Sequence, residues 1–217
     1  MELHRASKIP DWEKIPTSER NIFQKVAAKT KGYVTPGNAV SVAGLLLTHS
    51  GLIDIDRGNS IRGIAKVGVG RAMDIGDGFV ADKTGTKSSI GEKFDATIDK
   101  ILMADALWLL HKKEMVPTTA AFFIGAQNVV NTVATGIATL RKNEIHASRE
   151  GKITTAMQWV AIGGYCLDAA VYPDSSSEQT SVVRKAADGM TAASTALGVY
   201  VNIDYAQTAL SAPQNSL

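Results

Sequence analysis

Residues 74–99 read DIGDGFVADKTGTKSSIGEKFDATID, and this stretch decides how the rest of the chain is interpreted. Asp74 and Asp77 lie three positions apart at the end of one predicted helix, and Asp95 and Asp99 lie four apart at the start of the next. Positions three or four apart share one face of an α-helix. A glycine-containing turn between the helices lets them run antiparallel, so we expect the two pairs of carboxylates to meet.

Four carboxylates in one place repel one another strongly unless cations neutralise them. Hard oxygen ligands of this kind suit Mg²⁺ or Mn²⁺, which also bind phosphate oxygens. Gly78 and Gly91 leave room close to the backbone for a bulky phosphate or nucleotide. The stretch therefore predicts a divalent-cation site that handles a phosphorylated substrate.

Bulk composition, taken alone, favours a different class of protein. The 217 residues are 20% charged and 45% hydrophobic, and their mean hydropathy is 0.00. These values are typical of soluble proteins. The net charge of +2 is too small to favour nucleic-acid binding, and the single cysteine, Cys166, excludes a disulfide framework. Hydropathy by itself favours a soluble bundle with buried, alanine-rich helices.

Long uncharged stretches keep a membrane protein open as the alternative. Residues 32–53 carry no charged side chain, and residues 116–140 form another uncharged stretch of 25 residues. A helix of that length can cross a hydrocarbon core of ~30 Å. Both stretches are rich in Ala, Gly, Thr and Ser, which suits helices that pack closely on one another in a bilayer.

Hydrophobic patterning predicts an all-α chain, because no stretch sustains the alternation of a β-strand. Residues 11–31 are predicted to form an amphipathic helix at a membrane interface, with an ordinary exposed helix or tail as the alternative. Six further helices are predicted near residues 39–54, 60–81, 92–111, 116–140, 153–172 and 186–208.

Lysine and arginine are unevenly distributed over the predicted connections. The segment before the first of the six helices, and the connections after the second and the fourth, carry most of them. Cytoplasmic loops of membrane proteins carry the excess of these residues. If the six helices span a membrane, the N-terminus and the 82–93 loop are expected on the cytoplasmic side.

The aspartate stretch resembles the signature D-x2-D-G-x2-A-R-x8-G-x3-D-x3-D of the CDP-alcohol phosphatidyltransferase family. Seven of the eight specified positions are met, by Asp74, Asp77, Gly78, Ala81, Gly91, Asp95 and Asp99. The resemblance implies an integral-membrane, six-transmembrane-helix bundle with an N-terminal amphipathic interfacial helix and an active site facing the cytoplasm. It also implies a homodimer, with a membrane domain at 35–210 between an N-terminal segment at 1–34 and a tail at 211–217.

The resemblance also implies a reaction, the transfer of a phosphatidyl group from CDP-diacylglycerol to an alcohol with release of CMP. Two divalent ions, Mg²⁺ or Mn²⁺, are expected against the pyrophosphate, held by Asp74, Asp77 and Asp95 with help from Asp99. Asp99 is expected to be the base that takes the proton from the acceptor hydroxyl.

Binding of the CDP-lipid involves one departure from the family pattern. Asp82 stands where the signature has arginine, which removes an anion-binding donor, and the adjacent Lys83 is the candidate to replace it. Residues 35–44 resemble the entry to the family's first membrane helix with one glycine inserted, although helix capping is an alternative role for their polar side chains. The expected CDP-lipid-binding residues are Asn38, Ser41, Gly78, Ala81, Lys83 and Gly91.

The acceptor alcohol is indicated by residues 151–158, GKITTAMQ. They resemble the stretch G-K-x-[KNT]-T-x-x-Q of phosphatidylglycerophosphate synthases and eukaryotic-type cardiolipin synthases. Arg141, Arg149 and Lys152 are the cations expected to bind a phosphate on the acceptor, or else ordinary positive residues at helix ends. Glycerol 3-phosphate is the favoured acceptor, with phosphatidylglycerol, inositol phosphate and serine as alternatives.

Two other classes of protein are alternatives to an active transferase. Asp82 keeps open a catalytically impaired relative that binds the CDP-lipid or a metal as a sensor or assembly partner. An ion transporter is disfavoured, because the aspartates lie at one depth with no second charged layer that would form a pathway.

Overall fold

The structure, a computed structural model, describes residue 12 and residues 15–87, 89–141, 148–172 and 181–211, with backbone alone for 89–95 and 139. Over these residues the chain is entirely helical, which confirms the all-α prediction. All six helices predicted after residue 31 are present, each with ends displaced by a few residues. The seven helices are α1 (Ile22–Lys29), α2 (Pro36–Asp56), α3 (Ser60–Thr84), α4 (Ser89–Lys112), α5 (Thr118–Leu140), α6 (Arg149–Val171) and α7 (Val182–Leu210).

Local sequence explains where several helices begin and end. Thr35 caps α2 by accepting a hydrogen bond from the backbone N–H of Asn38, and Pro36 follows at the first helical position. Ser148 and Ser181 cap α6 and α7 in the same way. Gly85 ends α3 in the left-handed conformation, with φ of 63°, which residues other than glycine rarely adopt.

The predicted helix over residues 11–31 is wrong in length. Ile15–Arg20 form turns, and the helix is limited to the eight residues of α1. Asn21 is extended and accepts a hydrogen bond from the backbone N–H of Gln24, whose side chain accepts one from the Asn21 N–H. This capping box fixes the start of α1 at residue 22.

The chain divides into two compact units, residues 1–103 and 104–217, with the division inside α4. In the first unit α2 packs closely on α3 through facing glycines. A Cβ atom added at Gly63 would lie 2.5 Å from the carbonyl oxygen of Gly51, so the backbones are in direct contact. In the second unit α7 packs on α5 and α6, around a cluster made of Ala134, Ala138, Val201, Tyr205 and Ala209.

Burial in both units follows an unusual pattern. Polar side chains lie in the interior, whereas large apolar ones are exposed on the same helices. Residues 36–56 and 118–138 are long and apolar enough to cross a membrane, and they are the two such segments among the described residues. The other four predicted crossings stay a prediction. Examples of the buried polar side chains are Ser41, Thr48, Gln158 and Ser194, and of the exposed apolar ones Leu46, Ile75, Phe122 and Val160.

Candidate active site

The aspartates of α3 are held from two sides, and the first contact comes from α2. Asp77 is buried, with 7% of its surface exposed. The hydroxyl of Ser41, which is also buried, donates a hydrogen bond to Asp77 Oδ2 at 2.5 Å. A charge-assisted hydrogen bond of this length is among the stronger polar contacts in proteins. It fixes the Asp77 carboxylate against α2.

The second contact joins α3 to α4 through Arg71. Its Nη2 lies 2.8 Å from Asp74 Oδ2 and 2.6 Å from Asp99 Oδ1. One guanidinium nitrogen therefore bridges an aspartate from each half of the motif. The prediction from sequence did not include Arg71. Arg71 lies three residues before Asp74, which is the spacing of an ion pair on one helix face. This spacing is the sequence signal that could have identified Arg71.

The remaining motif aspartate, Asp95, lies in α4 before Asp99. Asp95 and Gly91 fall in the part of α4 where only the backbone is described, so the predictions for them lie outside the described residues. Within the described residues, no group of three or more His, Cys, Asp or Glu side chains is close enough to hold a metal ion.

The donor chemistry of this site nevertheless fits a hard divalent cation. Asp74, Asp77 and Asp99 supply carboxylate oxygens, the ligands that Mg²⁺ and Mn²⁺ prefer. Two of these carboxylates already converge on one positive charge, the Arg71 guanidinium. Carboxylate oxygens alone are a suitable ligand set for such an ion, without a thiolate.

The residues predicted to bind the CDP-lipid have different surroundings. Asn38 is buried, and its Nδ2 donates to the carbonyl oxygens of Gly32 at 3.3 Å and Tyr33 at 3.0 Å, which fixes the turn before α2. A Cβ atom added at Gly78 would meet no heavy atom of the described residues within 4 Å, so these residues leave open space at this position. Lys83 is exposed, with Nζ 4.7 Å from the centre of the Phe79 ring.

Ala81 has a packing contact instead of open space. A Cβ atom added at Gly37 of α2 would lie 3.0 Å from the Ala81 Cβ, so these two positions bring α2 and α3 close together. Small side chains at both positions permit this approach. The same approach brings Ser41, one turn beyond Gly37, within reach of Asp77.

Asp82, at the position where the signature has arginine, lies at the exposed end of α3. Its carboxylate pairs with Lys87, at 2.9 Å from Oδ1 and 3.0 Å from Oδ2. The Asp82 side chain is 55% exposed, so solvent screens this pair. The negative charge therefore has a partner in the turn between α3 and α4.

The N-terminal segment holds this same turn, a feature that the sequence did not predict. Gln24 Nε2 donates to the carbonyl oxygen of Gly85 at 3.2 Å, and Asn21 Nδ2 donates to that of Thr84 at 3.1 Å. Trp12 is buried and its indole N–H donates to the carbonyl oxygen of Lys87 at 3.1 Å. The polar face of α1 therefore fixes the backbone that follows the motif helix.

The predicted acceptor-binding residues all belong to the second unit. Arg141 follows the last residue of α5 and is exposed, and its Nη1 donates to the carbonyl oxygen of Leu210 at 3.1 Å. Arg149 and Lys152 are exposed in the first turn of α6. The N–H groups and the dipole at the N-terminus of a helix favour anions. The positive charges of Arg149 and Lys152 favour anions as well.

A buried network of side-chain amides also lies in the second unit. Gln158 Nε2 donates to Gln127 Oε1 at 2.8 Å, and Gln127 Nε2 donates to the carbonyl oxygen of Thr195 at 2.7 Å. Asn128 Nδ2 donates to Gln158 Oε1 at 3.1 Å. These bonds join α5, α6 and α7 beside a small polar cavity lined in part by Thr154 and Thr155.

Comparison with known proteins identifies one family. No curated protein sequence matches the chain significantly. The family model described as CDP-alcohol phosphatidyltransferase matches residues 34–200, which span α2 to α6 and most of α7. The match contains the complete aspartate stretch. The chain therefore belongs to the CDP-alcohol phosphatidyltransferase family, whose members are membrane enzymes that transfer a phosphatidyl group from a CDP-alcohol to an alcohol.

Proposed function

We propose that the protein transfers the phosphatidyl group of CDP-diacylglycerol to glycerol 3-phosphate, giving phosphatidylglycerophosphate and CMP. One observation carries the proposal. Arg71 joins Asp74 of α3 to Asp99 of α4, so aspartates from both halves of the motif meet at one charge. Asp77 is held beside them on α3 by Ser41. A solvated acidic cap on a helix hairpin would have no need of such partners.

In this proposal Asp74, Asp77, Asp95 and Asp99 hold two divalent ions, Mg²⁺ or Mn²⁺. Such ions, when bound, neutralise negative charge on the pyrophosphate and on the departing CMP. Asp99 accepts the proton of the acceptor hydroxyl as that oxygen bonds to the phosphorus that carries diacylglycerol. The bond from this phosphorus to the CMP oxygen breaks, and its electrons leave with CMP.

The nucleotide and pyrophosphate are proposed to bind along α2 and α3. The open space beside Gly78 supports this assignment, because a bulky group can approach the backbone there. Asn38 uses its amide hydrogens on two backbone carbonyls, so its remaining acceptor oxygen is the atom available to a ligand. Ser41, Ala81, Lys83 and Gly91 complete the proposed set.

The acceptor phosphate is proposed to bind Arg141, Arg149 and Lys152. Support comes from the exposure of all three side chains and from the helix N-terminus next to Arg149 and Lys152. Together with the GKITTAMQ stretch they favour the phosphatidylglycerophosphate synthase and eukaryotic-type cardiolipin synthase subgroup. A homodimer, as in relatives, is part of the same proposal.

We propose that residues 35–210 form a membrane domain with six crossings and a cytoplasmic active site, preceded by a segment at 1–34 and followed by a tail at 211–217. The burial pattern supports this topology, because apolar surface suits lipid, and buried polar side chains such as Ser41 and Gln158 have hydrogen-bond partners within the bundle. The N-terminal segment agrees with it. Ile22, Phe23 and Val26 are exposed on α1, while Gln24 on the opposite face is buried.

A panel of labelled acceptors tests the proposed reaction. Detergent-purified protein receives CDP-diacylglycerol, Mg²⁺ and one radiolabelled acceptor: glycerol 3-phosphate, phosphatidylglycerol, inositol phosphate or serine. We expect a new labelled lipid, separated by chromatography from the labelled acceptor, with glycerol 3-phosphate. A labelled product with a different acceptor would support the same phosphatidyl transfer and would replace glycerol 3-phosphate as the proposed acceptor.

A second candidate, favoured only by Asp82, is a relative that binds the CDP-lipid without turning it over. It predicts CDP-diacylglycerol binding with no new labelled lipid formed from any acceptor. The Asp82–Lys87 ion pair is evidence against this candidate, because Lys87 partly neutralises the negative charge that Asp82 adds.

A further inference from the structure

Arg71 lies within the aspartate cluster but is no part of the family signature. Its guanidinium contacts Asp74 Oδ2 at 2.8 Å and Asp99 Oδ1 at 2.6 Å, both through Nη2. The three side chains are 13%, 19% and 26% exposed, respectively. Charges with so little solvent around them interact more strongly than an exposed pair does.

Arg71 contacts one oxygen of each carboxylate, Asp74 Oδ2 and Asp99 Oδ1, and a cation shared by the two aspartates would draw on the same pair of carboxylates. A guanidinium is always charged in a protein, so it repels any divalent ion that approaches. An ion that binds both carboxylates must therefore overcome this repulsion, and an ion that uses the contacted oxygens must also displace Arg71 from them. Displacement costs free energy, which lowers the affinity for the ion.

We infer that Arg71 is an internal counter-cation that competes with divalent ions for Asp74 and Asp99 and so weakens metal binding at this site. In the absence of metal it keeps the two carboxylates together by neutralising part of their repulsion. It is a positioning residue and takes no direct part in the reaction. The inference rests on the proposed metal site, which the experiment below tests separately.

Arg62 provides a matched control on the same helix. It lies nine positions before Arg71, and its Nε is 3.7 Å from Asp54 Oδ2. Its side chain is 74% exposed, so its interaction with that carboxylate is well screened. Arg62→Met and Arg71→Met change the net charge equally. In the described contacts Arg71 pairs with motif aspartates, whereas Arg62 pairs with Asp54.

The test measures binding of Mn²⁺ alone to the full chain in detergent, by electron paramagnetic resonance of the free ion. We expect Arg71→Met to bind Mn²⁺ roughly tenfold more tightly than the wild type, because a neighbouring opposite charge shifts a carboxylate's affinity for cations by about a factor of ten or more. Arg62→Met is expected to match the wild type. Arg71→Lys, which keeps the charge but loses the planar fork, is expected to bind more tightly than the wild type and less tightly than Arg71→Met.

Thermal unfolding gives a second readout that does not depend on activity. Without metal, Arg71→Met is expected to melt below the wild type, because Asp74 and Asp99 then repel each other without compensation. Added Mn²⁺ is expected to raise its melting temperature by more than it raises that of the wild type.

Three results would overturn the inference. Unchanged or weaker Mn²⁺ binding in Arg71→Met would show that Arg71 does not compete with the ion. If Arg71→Met does not fold, Mn²⁺ binding by Arg71→Lys that is unchanged or weaker than that of the wild type would likewise show that Arg71 does not compete with the ion. Absence of saturable Mn²⁺ binding in the wild type and in both variants would remove the proposed metal site itself, and this inference with it.

Discussion

The Ser41 hydroxyl donates a hydrogen bond to Asp77 Oδ2 at 2.5 Å and so connects α2 with the motif helix α3. Both residues are buried, at 1% and 7% exposure. A buried carboxylate needs hydrogen-bond donors, because an unpaired polar group is costly inside a protein. The bond makes the position of Asp77 depend on the packing of α2.

Ser41→Ala removes this donor. We expect roughly a tenfold loss of transferase activity, because a lost hydrogen bond to a charged group costs about 1.5–3 kcal/mol. Activity is measured as CMP release at saturating CDP-diacylglycerol. Ser50→Ala is the control on the same helix, since Ser50 contacts Lys66 and not the motif. Full activity in Ser41→Ala would show that Asp77 does not depend on this hydroxyl.

Asp99→Asn keeps the size of the side chain and removes its charge and its capacity as a base. Turnover is expected to fall below a few per cent of wild type in the same assay, because the proposed proton acceptor is lost. Asp204→Asn, at an exposed position on α7, controls for loss of one carboxylate and is expected to be fully active. Substantial residual turnover in Asp99→Asn would exclude Asp99 as the base.

Asp82→Arg restores the residue of the family signature. We expect roughly a tenfold lower KM for CDP-diacylglycerol, because a guanidinium adds charge-assisted donors for phosphate and removes a repelling carboxylate. Loss of the screened pair with Lys87 is expected to cost no more than about 1 kcal/mol of stability. Asp82→Asn separates removal of the charge from gain of the donors, and an unchanged KM in both variants would place residue 82 away from the substrate.

Gly63→Ala tests the close packing of α2 on α3. The added methyl group would lie 2.5 Å from the Gly51 carbonyl oxygen, so the helices must separate. We expect a loss of about 1–3 kcal/mol, seen as a lower melting temperature in detergent. Gly68→Ala, on the same helix, meets no heavy atom within 4 Å and is expected to be neutral or slightly stabilising. Equal melting temperatures for the two variants would contradict the observed packing.

The sequence predicted α2 to α7 well, because long uncharged stretches mark helices such as α2 and α5 and no stretch sustains the alternation of a β-strand. Helix α1 was predicted less well. The pattern of apolar residues continues from Trp12 to Val26, but Pro16 and the Asn21 capping box limit the helix to the eight residues Ile22–Lys29. Periodicity alone does not reveal such local competition from hydrogen bonds.

The candidate site was predictable in composition and only partly in its contacts. Fixed spacing identified the four aspartates, since a motif depends on residue type and position alone. The partners of those aspartates depend on tertiary packing. Arg71 is in helical register with Asp74, but its contact with Asp99 requires α4 to lie beside α3. The contact of Ser41 with Asp77 likewise follows from the glycines that bring α2 close to α3.

Release of CMP from CDP-diacylglycerol by the purified wild-type protein tests the proposed function most directly. The reaction is followed with Mg²⁺ or with a chelator, and with or without glycerol 3-phosphate. We predict release that requires both Mg²⁺ and glycerol 3-phosphate and that is absent in Asp99→Asn. Folded wild-type protein that binds CDP-diacylglycerol but releases no CMP with any of the four acceptors would contradict the proposal.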